Sequence, residues 1–345
     1  MLLIIFGAGA SYDSVLHLRP DPPTFRAAKS IEPEHFRPPL ANQLFDDRQL
    51  FVQTMGAYPD FRPLVNLLRG DVQVERQLAT FEEEAKTFPV RQRQLASIRY
   101  YLHEMLWKCQ DKWTSQHKGI TNYVTFLDAI DHWRYVNNEQ VCFVTFNYDT
   151  MLEQSIMDIW RWPFADLNAY TSNPHFKLIK LHGSIDWGLR LNSLVGRGTP
   201  AEVIEDAIKG LDISEDYGKV DIAMRLADGT FGFPALAIPV EKKSEFACPP
   251  DHIQALASVI PRVTKIITIG WRATEQHFLT MLKKPLTGLQ GDVDLMVVSG
   301  DDKGMRETAI NLAIGTPATG LKRALRHDGF SGLIKEIGHL KAFLQ

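Results

Sequence analysis

The chain has 345 residues, 45% of them hydrophobic and 23% charged, with Lys+Arg 38 against Asp+Glu 41 and a formal net charge of −3. This is the usage of one large or two modest folded domains, and it excludes intrinsic disorder, collagen and coiled coil. Such a balance gives no global attraction for a polyanion, so no direct nucleic-acid contact is expected. The strongest basic cluster, Arg91, Arg93 and Arg99, is diluted by Glu82, Glu83 and Glu84 and reads as a solvated helix face.

In chain order, Leu2-Leu3-Ile4-Ile5-Phe6 is a continuous run of β-formers broken by Gly7, as in a parallel strand covered on both faces. It is too short for a membrane span or a signal segment, so no membrane association is expected. The turn Gly7-Ala8-Gly9-Ala10-Ser11 follows. Residues 20 to 40 then carry Pro20, Pro22, Pro23, Pro33, Pro38 and Pro39, which predicts a surface loop beside the turn and a possible ligand cover.

From about 41 to 135, glycine and proline are sparse and apolar residues recur at three and four positions, as in Leu95, Ile98, Tyr101, Leu102, Met105 and Leu106. This predicts a helical module inserted within one domain spanning 1–345. Further strands are predicted at 141–146, 177–181, 235–238, 265–269 and 293–298, with helical pattern between several of them. The expected fold is therefore α/β, a Rossmann-like, doubly wound, mostly parallel sheet with a helical insertion. Residues 188–230 show weak periodicity and no definite form. The three cysteines, Cys109, Cys142 and Cys248, form no C-x-x-C pair, which argues against a zinc ribbon and a disulfide framework and favours a reducing, cytoplasmic setting.

Ligands of doubly wound sheets bind outside the carboxyl ends of the strands, so the polar residues that follow each apolar run come first. The glycines of 7–11 let a backbone approach a pyrophosphate, although Tyr12 stands where a dehydrogenase fingerprint has its third glycine and no acidic strand end follows at the usual distance. Asn147 and Asp149 follow the strand at 141–146. They either hold hydroxyls or water, or cap the helix carrying Met151, Leu152 and Ile156. His182, in KLHGSIDW at 180–187, is placed to act as a general base or is a packed structural residue. Trp187 and Trp271 read as packing groups with stacking as the alternative, and Glu275 and His277 as a helix surface or a ribose-facing pair.

GAGAS, TFNYD and LHGS, in that order on predicted strand ends, resemble the GAG-x-S, T-x-N-x-D and HG motifs of the sirtuin family. RPPLANQLF at 37–45, IGW at 269–271 and VDLMVVSGDD near the end make the chain similar to the diverged sirtuin-like domains of bacterial antiphage systems, over roughly residues 1–310. The resemblance implies NAD as substrate and cleavage of the nicotinamide–ribose bond. It assigns Asn147 and His182 as catalytic, Gly7, Ala8, Gly9, Ser11 and Asp149 as NAD-binding, and Gly270 and Ser299 to the adenosine half.

Two departures from the family pattern matter. The zinc module with its paired C-x-x-C motifs is absent, so no metal is expected, and the segment that usually follows GAG-x-S is replaced, leaving Arg37 without an assigned task. Both weaken deacylation and leave NAD hydrolysis to nicotinamide and ADP-ribose, which the three motifs without zinc ligands make the leading expectation, with the protein as a toxic antiphage effector. The family resemblance implies a homo-oligomer or a HerA-type ATPase as the restraint. The alternatives are an NAD-dependent protein deacylase or ADP-ribosyl transferase, and a non-catalytic NAD- or ADP-ribose-binding subunit.

Overall fold

The structure, a computed structural model, describes residues 1–16, 34–69, 74–192, 198–238, 246–288, 293–312 and 322–345. The opening apolar run forms β1 (Leu2–Phe6), and it is completely buried. It pairs in parallel with β2 (Val141–Thr145) on one side, and β2 in turn pairs with β3 (Phe176–Lys180). Strands β4 (Gly183–Leu191), β5 (Ile213–Lys219) and β6 (Gly232–Leu236) follow in the chain but leave this sheet. They form a separate antiparallel sheet in the order β5-β4-β6. The chain then returns through β7 (Lys265–Ile269), β8 (Asp294–Val298) and β9 (Arg323–Arg326), giving a six-stranded parallel sheet ordered β3-β2-β1-β7-β8-β9.

This is the expected doubly wound, Rossmann-like α/β architecture. In register, Ile4 lies between Phe143 and Ile267. A strand with neighbours on both edges and helices over both faces meets no water, which is why it reads as unbroken aliphatics instead of alternating. The order of strands reverses between β1 and β7, so a crevice opens at their carboxyl ends.

Three sequence expectations change. The strand predicted at 235–238 is β6, at Gly232–Leu236, and belongs to the antiparallel sheet. Residues 188–230, formless in sequence, supply the end of β4 and all of β5, and the partly exposed β5 lacks the long apolar run that marks a buried strand. β9, with the sequence Arg-Ala-Leu-Arg, was not anticipated, because a short, charged edge strand carries almost no apolar signal.

Two hydrophobic cores result. One surrounds the parallel sheet and includes Tyr123, Phe126, Leu127 and Ile130 of the helix Asn122–Asn137. That helix packs against Met151–Trp160 and against the C-terminal helices Gly329–Lys335 and Ile337–Leu344. The other core lies between the small sheet and the helical segment that includes the 28-residue helix Pro89–Gln116. Here Tyr100 donates to Gly232 O at 2.9 Å and packs on Phe231 and Phe233.

The basic cluster on this helix is not a free solvated face. Arg91 bonds Glu84, Arg93 pairs with Asp60, and the Arg99 guanidinium lies over Phe233. Among the described residues, no helix is long and apolar enough to cross a membrane.

Candidate active site

At the carboxyl edge of the parallel sheet lies a cavity of about 620 Å³. Its wall includes Gly7, Ala8, Gly9, Ser11, Asn147, Asp149, His182, Gly270 and Ser299. Gly7 and Ser299, 292 positions apart in sequence, thus share one crevice, because the parallel strands β1, β2, β3, β7 and β8 all end there. Pro38, Pro39 and Leu40 line the same cavity, so the end of the proline-rich stretch does border it, while residues 17–33 fall outside the described residues.

The glycines serve a purpose that the motif alone did not disclose. Gly7 N donates to Ile269 O, Gly9 N to Gly270 O and Ala10 N to Gly7 O. A Cβ on Gly7 would lie 2.5 Å from Gly270 O, and one on Gly270, whose φ is +61°, would lie 2.3 Å from Ala10 N. The turn after β1 is therefore pressed against the turn after β7, backbone to backbone. Three of its N–H groups are already committed to carbonyls, so they cannot serve as phosphate donors without exchanging partners.

Asn147 is held by the same turn. Its Nδ2 donates to Ser11 Oγ at 2.9 Å and approaches Tyr123 Oη at 3.4 Å, while Ser11 Oγ and Tyr123 Oη are 3.0 Å apart. Its backbone N–H donates to Thr145 Oγ1. Asn147 is 6% exposed, yet its Oδ1 has no hydrogen-bond partner among the described residues. A buried acceptor left this way costs about 1–3 kcal/mol, which a ligand donor would recover. Reversing the amide would not remove the problem, since it would put an unpartnered NH2 in that place.

His182 follows β3 and is 8% exposed. Its ring sits edge-on to Phe146, with centroids 4.9 Å apart, and tilted to Tyr148 at 6.3 Å. Trp271 stacks on Phe146 in turn, its ring 5.3 Å away at 8°, and donates Nε1 to Glu275 Oε2 at 2.6 Å. Trp187 is completely buried and edge-on to Tyr170. Both tryptophans are packing groups, and Trp271 also forms cavity wall. His277 lines the cavity too, edge-on to Phe246.

Asp149 accepts from Met151 N at 3.2 Å, so its carboxylate supports the start of the helix Met151–Trp160 as well as facing the cavity. Its carbonyl receives the ammonium of Lys180, which is fully buried and ion-paired with Glu153 at 2.8 Å. Burial pushes the Glu153 carboxyl up, against the pull of Lys180. This pair fixes the loop between β2 and its helix from below. Gln110 of the long helix clamps the loop from the other core, accepting from Thr150 N and donating to Thr150 Oγ1.

The carboxylates in the wall are Asp13, Glu75, Asp149, Glu275 and Asp301. Four of them accept from neighbouring donors: Asp13 from Ser331, Asp149 from Met151, Glu275 from Trp271 and Asp301 from Gly304. Arg272, exposed just after the Gly270 turn, is the only Arg or Lys in the wall among the described residues.

Sequence reading missed Tyr123, Asp13, Glu75, Arg272 and the pair Gly329 and Phe330, all of which touch the cavity or its supports. Arg272 was discoverable, because it follows IGW directly. Arg37 lies outside the cavity wall, buried, donating to Tyr12 O and lying over the Tyr12 and Trp113 rings. Cys109 does line the cavity; its thiol donates to Phe36 O and is pushed up to about 12 by burial, so it is no ready nucleophile. No group of three or more His, Cys, Asp or Glu among the described residues is arranged to hold a metal ion.

No family model matches the chain, and no curated protein matches it. Among solved structures it is similar to a Sir2 homologue in complex with NAD, at 13% identity and a TM-score of 0.45, over 100% of this chain and 90% of that one. It is also similar to a mutant Sir2 homologue with 2′-O-acetyl ADP-ribose, at 16% identity and a TM-score of 0.43, over 100% and 93%. A Sir2–p53 peptide–NAD+ structure matches at 11% and 0.39, over 99% and 93%. At these scores, nothing about the chemistry of this cavity follows from the likeness.

Proposed function

We propose that the cavity binds NAD+ and hydrolyses the bond between nicotinamide and its ribose, giving nicotinamide and ADP-ribose. The observation that carries this reading is the buried, unpartnered Asn147 Oδ1 in the same wall as the His182 imidazole, at the switch point of a doubly wound sheet. The arrangement suits a ligand rich in hydroxyls, and a volume of about 620 Å³ lies within the range of cofactor-sized pockets.

In NAD+ the nicotinamide ring is cationic and leaves neutral. As its bond to C1′ breaks, the electron pair goes to the ring nitrogen and positive charge develops on the ribose; a water oxygen then forms the new bond to C1′. Asn147 Oδ1 would accept from that water or from a ribose hydroxyl, and His182 would take the proton that the water releases. Phe146, Trp271 and Tyr148 exclude bulk water around the imidazole. Because Gly7, Gly9 and Ala10 have spent their N–H groups on carbonyls, Arg272 is assigned the diphosphate charge. Gly270 and Ser299 remain the candidates for the adenosine half.

In the same reading the enzyme acts as an antiphage effector that depletes cellular NAD and is restrained by its own assembly or by a HerA-type ATPase. This extension rests on the resemblance carried by RPPLANQLF, IGW and VDLMVVSGDD in addition to the GAGAS, TFNYD and LHGS motifs.

The test is incubation of the purified protein with NAD+ and chromatography of the products, with Asn147→Ala and His182→Ala variants checked for folding. Nicotinamide plus ADP-ribose from the wild type, lost in both folded variants, is the expected result. Nicotinamide release only with an acylated peptide would instead select deacylation, and tight NAD binding without turnover would select a binding module.

A further inference from the structure

We infer that Glu75, on the helix Val74–Ala85, is a specificity-determining residue of the cavity. With Glu275 it gives the His182 end a negative charge that takes a cationic aromatic ring, the pyridinium of NAD+, in preference to the neutral ring of the reduced dinucleotide. The inference rests on the reading of the cavity as an NAD site and adds the charge of the ring that is selected.

Glu75 is the fifth carboxylate of the wall, and among the described residues no donor or cation is paired with it. Glu275 is fixed by Trp271 Nε1, an uncharged donor that leaves the charge of the carboxylate in place. Aromatic rings of the wall connect both carboxylates to His182. On the Glu275 side, Trp271 stacks on Phe146, and Phe146 is edge-on to the imidazole at 4.9 Å. On the other side, the Tyr148 ring lies 6.3 Å from the imidazole. Burial pushes the Tyr148 phenol up, and the Glu75 and Glu275 carboxylates push it further, so both charges reach one hydroxyl at this end. Arg99, which opposes them, stands outside the wall, beside Glu82 and over Phe233.

A flat cation on aromatic faces, with carboxylates nearby, gains from the ring quadrupoles and from the charges together. The unpartnered end of the Asn147 carboxamide shares this cavity and calls for a polar ligand group whichever way the amide is turned. The reduced nicotinamide ring has nearly the same size and lacks the charge, so it forfeits most of this attraction. The same charge repels a diphosphate, which directs the nicotinamide end of the dinucleotide, and not its middle, toward His182.

Calorimetric titration of wild type and Glu75→Gln with NADH and with carba-NAD+ tests the assignment. Carba-NAD+ keeps the pyridinium, while a methylene in place of the ribose ring oxygen blocks cleavage. The wild type is expected to bind carba-NAD+ more tightly than NADH, and Glu75→Gln to raise the Kd for carba-NAD+ by about three- to tenfold with the Kd for NADH nearly unchanged. Glu75 also sits in a first helical turn, where a carboxylate favours the helix dipole. A purely structural role would weaken both ligands alike and lower the thermal midpoint. Equal losses for the two ligands, or no preference for the cation in the wild type, would overturn the inference.

Carba-NAD+ binding by a protein that does not turn over NAD+ would end the hydrolase reading alone, and the ratio of the two Kd values would still decide the role of Glu75. If neither dinucleotide binds, the NAD reading fails, and 1-methylnicotinamide against nicotinamide decides the rest. Binding of the cation that weakens in Glu75→Gln supports the acidic end as a cation site; no binding, or equal binding of the two, overturns it.

Discussion

Asp13 and Ser331, 318 residues apart in sequence, are joined by two hydrogen bonds: Ser331 N donates to Asp13 Oδ2 at 2.9 Å, and Ser331 Oγ donates to Asp13 Oδ1 at 2.5 Å. Asn122 ties into the same point, donating to Asp13 O and to Ser331 Oγ. The end of the glycine turn is thus fastened to the first turn of the helix Gly329–Lys335, which also brings Phe330 into the cavity wall.

Removing either partner leaves buried polar atoms unpaired. Asp13→Ala and Ser331→Ala should each lower stability by about 1–3 kcal/mol in urea unfolding. The double variant should cost clearly less than the sum, since the two residues share their bonds. Additive losses would show that the two contribute independently.

Gly270→Ala is expected to be among the most damaging conservative changes in the chain. It combines a left-handed φ with a Cβ placed 2.3 Å from Ala10 N and 2.4 Å from Gly9 C, both backbone atoms that cannot rotate away. The strain should reach about 2–5 kcal/mol and should push the turn at residues 7–11 outward, weakening NAD binding as well as folding. Binding calorimetry and urea unfolding together check this; a variant with wild-type stability would contradict the backbone contact.

Stability should also depend on pH through buried histidines. His252 lies between Tyr170 and Trp187, with Nε2 on Leu167 O at 2.9 Å, and burial lowers its pKa from 6.5. His103, under the small sheet, is lowered for the same reason. A folded pKa below the unfolded one means that the contribution is complete above about pH 6.5 and is lost as the pH falls through the lowered folded value. Urea midpoints are therefore expected to drop between about pH 7.5 and pH 5.5, and His252→Phe, which has nothing to protonate there, should show a smaller drop. An equal drop in the variant would remove His252 as a source of the effect.

The amino-acid sequence by itself determined the buried parallel strands and the identity of the residues at their carboxyl ends. Five consecutive aliphatic and aromatic residues in β1 have one stable environment, the centre of a covered parallel sheet, and the polar residue that follows such a run is necessarily at its edge. Gly7, Asn147 and His182 were legible on those grounds and Gly270 and Ser299 through the family resemblance, and the parallel sheet then gathered them into one cavity.

What only the tertiary structure decided was which of several physical tasks each residue performs. The glycines of the turn after β1 look like a phosphate cradle in sequence, but their N–H groups are bonded to the β7 turn. Asp149 supports a helix start while facing the cavity. Tyr123 and Ser331 carry no motif, because helical periodicity reports that a side chain is buried and not what it is buried against. β5 and β9 were equally silent, since short or half-exposed strands are held by neighbours distant in the chain and not by their own composition. Local signals record local burial; hydrogen bonds across 112 or 318 residues, such as Ser11 to Tyr123 and Asp13 to Ser331, exist only once the sheet has brought their ends together.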